Sequence, residues 1–271
     1  MEYLQYAFFR NALLGILIIS IAGGIIGTYI ITRRLVSITG GVTHACFGGL
    51  GLGYYLGVSP VAMASVFAVA SSLGVEWISH RYHVREDSAI AVIWALGMAV
   101  GILFVFMTPG YVPELNGFLF GNILTISSAD LWAFSIYTVI LVLFIAFFNQ
   151  LVIACAFDSD FAKVSGMRVR LVSYVMTVLV AVCVVLTIRL VGIMLLIAML
   201  TLPILIAETW CRRFSGIMIA SILTSAATST AGLMLATLGD VPCSAIIVLL
   251  QVAVYVIVRV VKDMSLRKLM Q

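Results

Sequence analysis

Charge is what this sequence has least of. Only 10% of its 271 residues are Asp, Glu, Lys or Arg, against 63% hydrophobic. Soluble domains carry roughly 25% charged residues, so a mean hydropathy of +1.23 excludes an ordinary soluble domain and puts most of the chain in lipid. Proline is scarce, at 5 residues. No Ser- or Gln-rich tract is present either, so neither a disordered linker nor a second soluble domain is indicated, and residues 1–271 read as one membrane domain. The five cysteines (Cys46, Cys155, Cys183, Cys211 and Cys243) contain no C-x-x-C pair, which argues against a disulfide framework and a zinc ribbon. There is no G-x-x-x-x-G-K-[ST] phosphate loop, hence no ATP site of that kind. The absence of His-Glu-x-x-His argues against an intramembrane metalloprotease. Nothing points to a nucleic-acid partner or a permanently bound cofactor.

What is present is a series of long apolar runs. Requiring about 17 to 25 apolar residues per crossing, spans fall near 6–32, 35–58, 60–79, 88–107, 130–149, 171–189, 191–210, 215–238 and 241–259. The expected fold is an all-α polytopic bundle of about nine transmembrane helices. Eight is the alternative, because the divisions near Pro60, Arg189 and Pro242 leave almost no loop. Thirteen of the 15 basic residues form five clusters: Arg33 and Arg34; Arg81 and Arg85; Lys163, Arg168 and Arg170; Arg212 and Arg213; Arg259, Lys262, Arg267 and Lys268. Pairs of spans separate the clusters, so the positive-inside rule places all five in the cytoplasm without contradiction. The turns near 59, 108–129, 190 and 240 are then external. The C-terminus is cytoplasmic, and with nine spans the N-terminus is external.

Within the second span, seven glycines occur between Leu35 and Val58. Small residues let helix backbones approach closely, so this helix is expected in the interior. His44 lies about 14 Å along it, near the middle of a hydrocarbon core of about 30 Å. An ionisable side chain at that depth is a candidate functional residue, and neutral imidazole is a common transition-metal ligand. A histidine hydrogen-bonded to a neighbouring helix is the plainer alternative. Glu76, His80, His83, Glu86 and Asp87 surround a turn that reads as a solvated polar loop or, more sharply, a metal-exit site. Glu208 is expected to pair with Arg212 at i, i+4. Asp240 reads as an N-cap or as a cation-attracting residue at an outer mouth. Residues 155–170 form the longest charged amphipathic stretch, with an acidic start at Asp158 and Asp160 and a glycine stop at Gly166.

The residues taken in order resemble the permease subunits of the manganese/zinc/iron family of ABC importers. Thr43-His44-Ala45 precedes Gly48-Gly49-Leu50-Gly51-Leu52-Gly53-Tyr54. Then come Glu86-Asp87-Ser88-Ala89-Ile90, the 119–125 stretch Leu-Phe-Gly-Asn-Ile-Leu-Thr, and Phe157-Asp158-Ser159-Asp160-Phe161-Ala162 with Gly166. Val191-Gly192-Ile193 leads to Pro203, and Asp240-Val241-Pro242 precedes the last span. The resemblance implies an ABC permease fold and import of a divalent transition-metal ion (zinc, manganese or iron) by alternating access. His44 would line the path, with Asp240 at its outer mouth. It also implies ATP hydrolysis on separate ABC ATPase subunits, a second permease chain as homodimer partner, and an extracytoplasmic solute-binding protein, in the cytoplasmic membrane of a prokaryote. Phe157, Asp158, Asp160, Phe161, Ala162 and Gly166 would form the coupling helix. A permease for a metal chelate, of siderophore or cobalamin type, is the alternative. The family's pattern carries an aspartate four residues before the histidine, and here that position is Gly40.

Overall fold

The computed structural model describes residues 5–109, 121, 123 and 126–269. The described residues form α helices and no strands. In chain order these are α1 (Ala7–Thr32), α2 (Val36–Leu56), α3 (Pro60–Tyr82), α4 (Glu86–Met107), α5 (Ser128–Phe157), α6 (Ser159–Val164), α7 (Val169–Trp210), α8 (Phe214–Gly239) and α9 (Cys243–Leu269). Seven of them are long and apolar enough to cross a membrane. Helix α2 is outside that set because its glycines, threonines and His44 dilute its hydropathy. Its 21 residues still reach about 31 Å, enough for a bilayer core.

Helix α7 is the opposite case. Its 42 residues would run about 63 Å, twice the core thickness, but the helix is interrupted at Gly192, with φ 80° and ψ 172°. That conformation is essentially restricted to glycine, so α7 is two spans joined end to end. The sequence placed the division at Arg189. Arg189 instead stays helical and pairs with Asp130 at the start of α5, Nε to Oδ1 2.7 Å, and the chain turns at the residue without a Cβ. The backbone of Gly121, at φ 57°, packs directly on Val191 and Gly192. Of the 119–125 stretch only Gly121 and Ile123 lie among the described residues.

The chain packs as two compact units. One comprises Met1–Ile31, Gly117–Val142 and Arg189–Gln271. In it α1 lies on the second half of α7 and on α8, with Gly27 against Leu200 and Ile204 and Gly24 against Ile222. Hydroxyls tie the apolar faces together. Ser225 meets Ser20 at 3.1 Å, and Gln251 of α9 donates to Ser229 at 3.3 Å and to Thr228 at 3.4 Å. Lys262 bonds the Thr209 carbonyl, so the last basic cluster sits beside the end of α7, where Arg212 and Arg213 follow.

The other unit comprises Thr32–Asn116 and Leu143–Ile188. Here α2 packs against both α3 and α4. Gly51 and Gly101 meet backbone to backbone, a Cβ on Gly97 would strike Ala45, and one on Gly49 would strike Met63 and Ala64. The glycine-rich helix is interior, as its composition implied. Arg33, in the turn before α2, pairs with Glu86 at the start of α4 at 3.0 Å. Within each unit the basic clusters therefore converge at one end.

Candidate functional site

His44 is half-buried on α2, and its ring lies flat against Trp94 of α4, with centroids 4.5 Å apart and planes 4° apart. Phe47, one turn on, covers the ring at 6.1 Å. The buried Nδ1 has no hydrogen-bond partner among the described residues. An orphaned buried polar atom costs about 1–3 kcal/mol, which a ligand at that nitrogen would offset. At Nδ1 the plainer expectation, an imidazole bonded to a neighbouring helix, is not met among the described residues. Packing against Trp94 and Phe47 holds the ring instead. Among the described residues no three His, Cys, Asp or Glu side chains gather to hold a metal, so His44 brings one ligand and no companion carboxylate. A Cβ at Gly40 would meet nothing closer than the Trp94 ring at 3.9 Å, so the position one turn before His44 is open. Trp94 was not legible as part of this site, because nothing in α4's own sequence marks which of its residues faces α2.

The turn after α3 is solvated, as read, with residues 80–85 and Asp87 exposed, but Glu76, inside α3, departs from that reading. Glu76 is 4% exposed. It accepts hydrogen bonds from Ser173 at 2.5 Å and Thr177 at 3.3 Å, both on α7, and faces Nε2 of His80 at 3.0 Å. A carboxylate taken out of water needs such partners, and α7 supplies them from about 100 residues away. The i, i+4 spacing of Glu76 and His80 was a signal that could have identified the pair. His83 and Asp87 are exposed, as expected, and Glu86 is engaged by Arg33.

Residues 155–170 split between the end of α5, the short helix α6 and the start of α7. The Asp158 carboxylate accepts from the backbone N–H groups of Asp160, at 3.1 Å, and Phe161, at 2.9 Å, and so caps α6. At the other end Gly166, at φ 77°, lets its own N–H reach Lys163 O, while Met167 N–H reaches Ala162 O, both at 3.0 Å. The acidic start and glycine stop read from the sequence are both present. Ala162 is fully buried and anchors the helix, whereas Phe157, Phe161 and Val164 are exposed, and Asp160 pairs with Lys163 on the surface. A capped six-residue helix showing aromatic and aliphatic side chains is suited to protein contact.

Two expectations are corrected. Asp240 is not an N-cap: it closes α8 as a left-handed C-cap at φ 50°, through its backbone N–H to Ala236 O, and its side chain is exposed. The chain needs a reversal there before Pro242, and aspartate tolerates αL better than most residues. Glu208 and Arg212 form no ion pair, because α7 ends at Trp210 and Arg212 lies beyond the helical register.

With the geometry described, residues 5–262 match the family profile "ABC 3 transport family". A Chlamydia pneumoniae protein named "Probable metal transport system membrane protein" is 35% identical over 237 residues, covering 85% of this chain and 81% of its own. A Haemophilus influenzae protein named "Probable iron transport system membrane protein" is 30% identical over 258 residues, covering 95% and 94%. Among solved structures, a chain of PsaBC from Streptococcus pneumoniae in complex with Fab superposes with a TM-score of 0.81 at 26% identity, covering 95% of this chain and 94% of that one. The profile spans nearly the whole sequence, and the all-helical architecture agrees with it along its length: this chain is a multi-pass membrane protein of the ABC 3 transport family.

Proposed function

We propose that the chain is the permease subunit of an ABC importer for a free divalent transition-metal ion, working as a homodimer on two separate ATPase subunits and fed by an extracytoplasmic binding protein. What carries this reading is the full-length family match together with relatives named for metal and iron transport. In this reading the basic ends of both units are cytoplasmic in a prokaryotic inner membrane, which is the side the positive-inside rule selects. Helix α6 is the coupling helix, presenting Phe161 and Val164 to the ATPase beside Phe157 at the end of α5. His44 offers the ion an imidazole nitrogen held rigid against Trp94, and the exposed Asp240 carboxylate draws cations to the outer mouth. ATP-driven closure moves α6, and the permease alternates between outward and inward access.

The test is uptake into proteoliposomes holding the chain and its ATPase, with zinc, manganese and iron assayed separately, with and without ATP and binding protein. ATP-dependent accumulation of one ion is expected, with a loss of at least about tenfold in His44→Ala, the scale at which lost metal-site interactions register. Full transport by a folded, ATPase-bound His44→Ala chain would remove His44 from the path. A complex that hydrolyses ATP and moves a chelate but no free ion would refute the free-ion substrate.

A further inference from the structure

At the basic end of the second unit is a cavity of about 320 Å³, within the range of small-ligand sites. Arg33, His80, His83, Lys163 and Arg170 line it, and the hydroxyls of Ser79 and Ser173 add hydrogen-bonding groups. Among the described lining residues Glu86 is the one carboxylate, and it is paired with Arg33. Lys163 contacts the Asp160 carboxylate, which projects outward on the exposed face of α6. Glu76 stands behind the wall, bonded to Ser173 and facing His80, and so fixes two lining side chains in place. Arg33, Lys163 and Arg170 thus stand against Glu86 and Asp160, and among the described residues Arg170 pairs with neither carboxylate, so it is the charge an anion in the cavity would meet.

The depth of the cavity is marked independently. Trp77 and Tyr82, on either side of Ser79 and His80 in α3, are 53% and 63% exposed and meet edge to face at 5.7 Å. Exposed Trp and Tyr side chains collect where hydrocarbon meets water, at the level of lipid headgroups. Basic pockets between transmembrane helices at that level, on the cytoplasmic side, suit anionic headgroups.

We propose that this cavity binds a phosphoryl anion, supplied in the membrane by the phosphodiester of an anionic lipid such as phosphatidylglycerol, with Arg170 and Lys163 as its charge partners. A lipid seated there ties α6 to the ends of α3 and α7. The cytoplasmic placement rests on the orientation proposed above, whereas the binding test does not depend on transport.

The full chain is purified in detergent and exchanged into mixed micelles of phosphatidylglycerol or phosphatidylcholine. Retained lipid is counted by native mass spectrometry, and thermal melts confirm that each variant folds. Preferential retention of phosphatidylglycerol is expected. Arg170→Gln and Lys163→Gln should each reduce it about fivefold, the effect of one basic residue near a lipid surface. Arg81→Gln, an equal charge change at the same turn but outside the lining, should leave it intact. Should one variant fail to fold, the other reads the site. Equal loss in all three, loss in none, or equal retention of phosphatidylcholine would overturn the site. Protection by millimolar inorganic phosphate without phosphatidylglycerol retention would assign the cavity to a soluble anion and overturn the lipid source. Expulsion of the lipid by added ATPase would make the cavity a socket for an acidic side chain of that partner, and the proposal would fall.

Discussion

Gly40 and His44 are one helical turn apart on the same face of α2. Substitution of Gly40 by aspartate meets no packing obstacle, since Trp94 at 3.9 Å is the nearest neighbour of a new Cβ. Gly40→Asp is therefore expected to fold and to supply the missing carboxylate. It should tighten metal binding by about tenfold or more, and favour harder ions such as manganese. Isothermal titration of manganese and zinc against both proteins measures this, and an unchanged manganese affinity would show that position 40 and His44 do not form one metal site. Glu76 makes the opposite kind of prediction. Glu76→Ala strands the Ser173 and Thr177 hydroxyls that now donate to it, at a cost of about 1–3 kcal/mol, so the detergent melting temperature should fall by several degrees. A solvated loop residue would show no such loss.

Among the elements, α6 is held by its ends. Six residues cannot sustain a helix by propensity, so the Asp158 cap and the Gly166 stop define it. Asp158→Ala should cost roughly 1 kcal/mol locally. Amide hydrogen exchange should rise at Asp160 and Phe161, and ATPase affinity should drop in a pull-down with purified subunits. Unchanged exchange there would mean that α6 is held by tertiary contacts alone. This helix was legible in the sequence because caps and stops are local signals. The break in α7 was legible only as a place where two spans had to divide. Arg189 looked like the divider because it is charged, but its pairing with Asp130 let it remain helical and left the turn to Gly192.

For the whole molecule, sidedness is the property to test. A membrane-impermeant maleimide should label Val58→Cys, in the turn before α3, in intact cells. It should label Arg81→Cys, at the far end of α3, only after permeabilisation. The reverse pattern would invert the orientation that the basic clusters imply. Helix existence, approximate span limits, the interior place of α2 and the grouping of basic clusters at one end of each unit were all determined by the sequence, because apolar length, glycine content and charge are properties of each segment by itself. Tertiary structure alone decided that Trp94 clamps His44, that α7 turns at Gly192, and that Glu76 is buried under Ser173 and Thr177. The reason lies in the solvent: a helix face turned to lipid is as apolar as one turned to another helix, so apolar periodicity does not reveal which faces meet, and only packing chooses the partners.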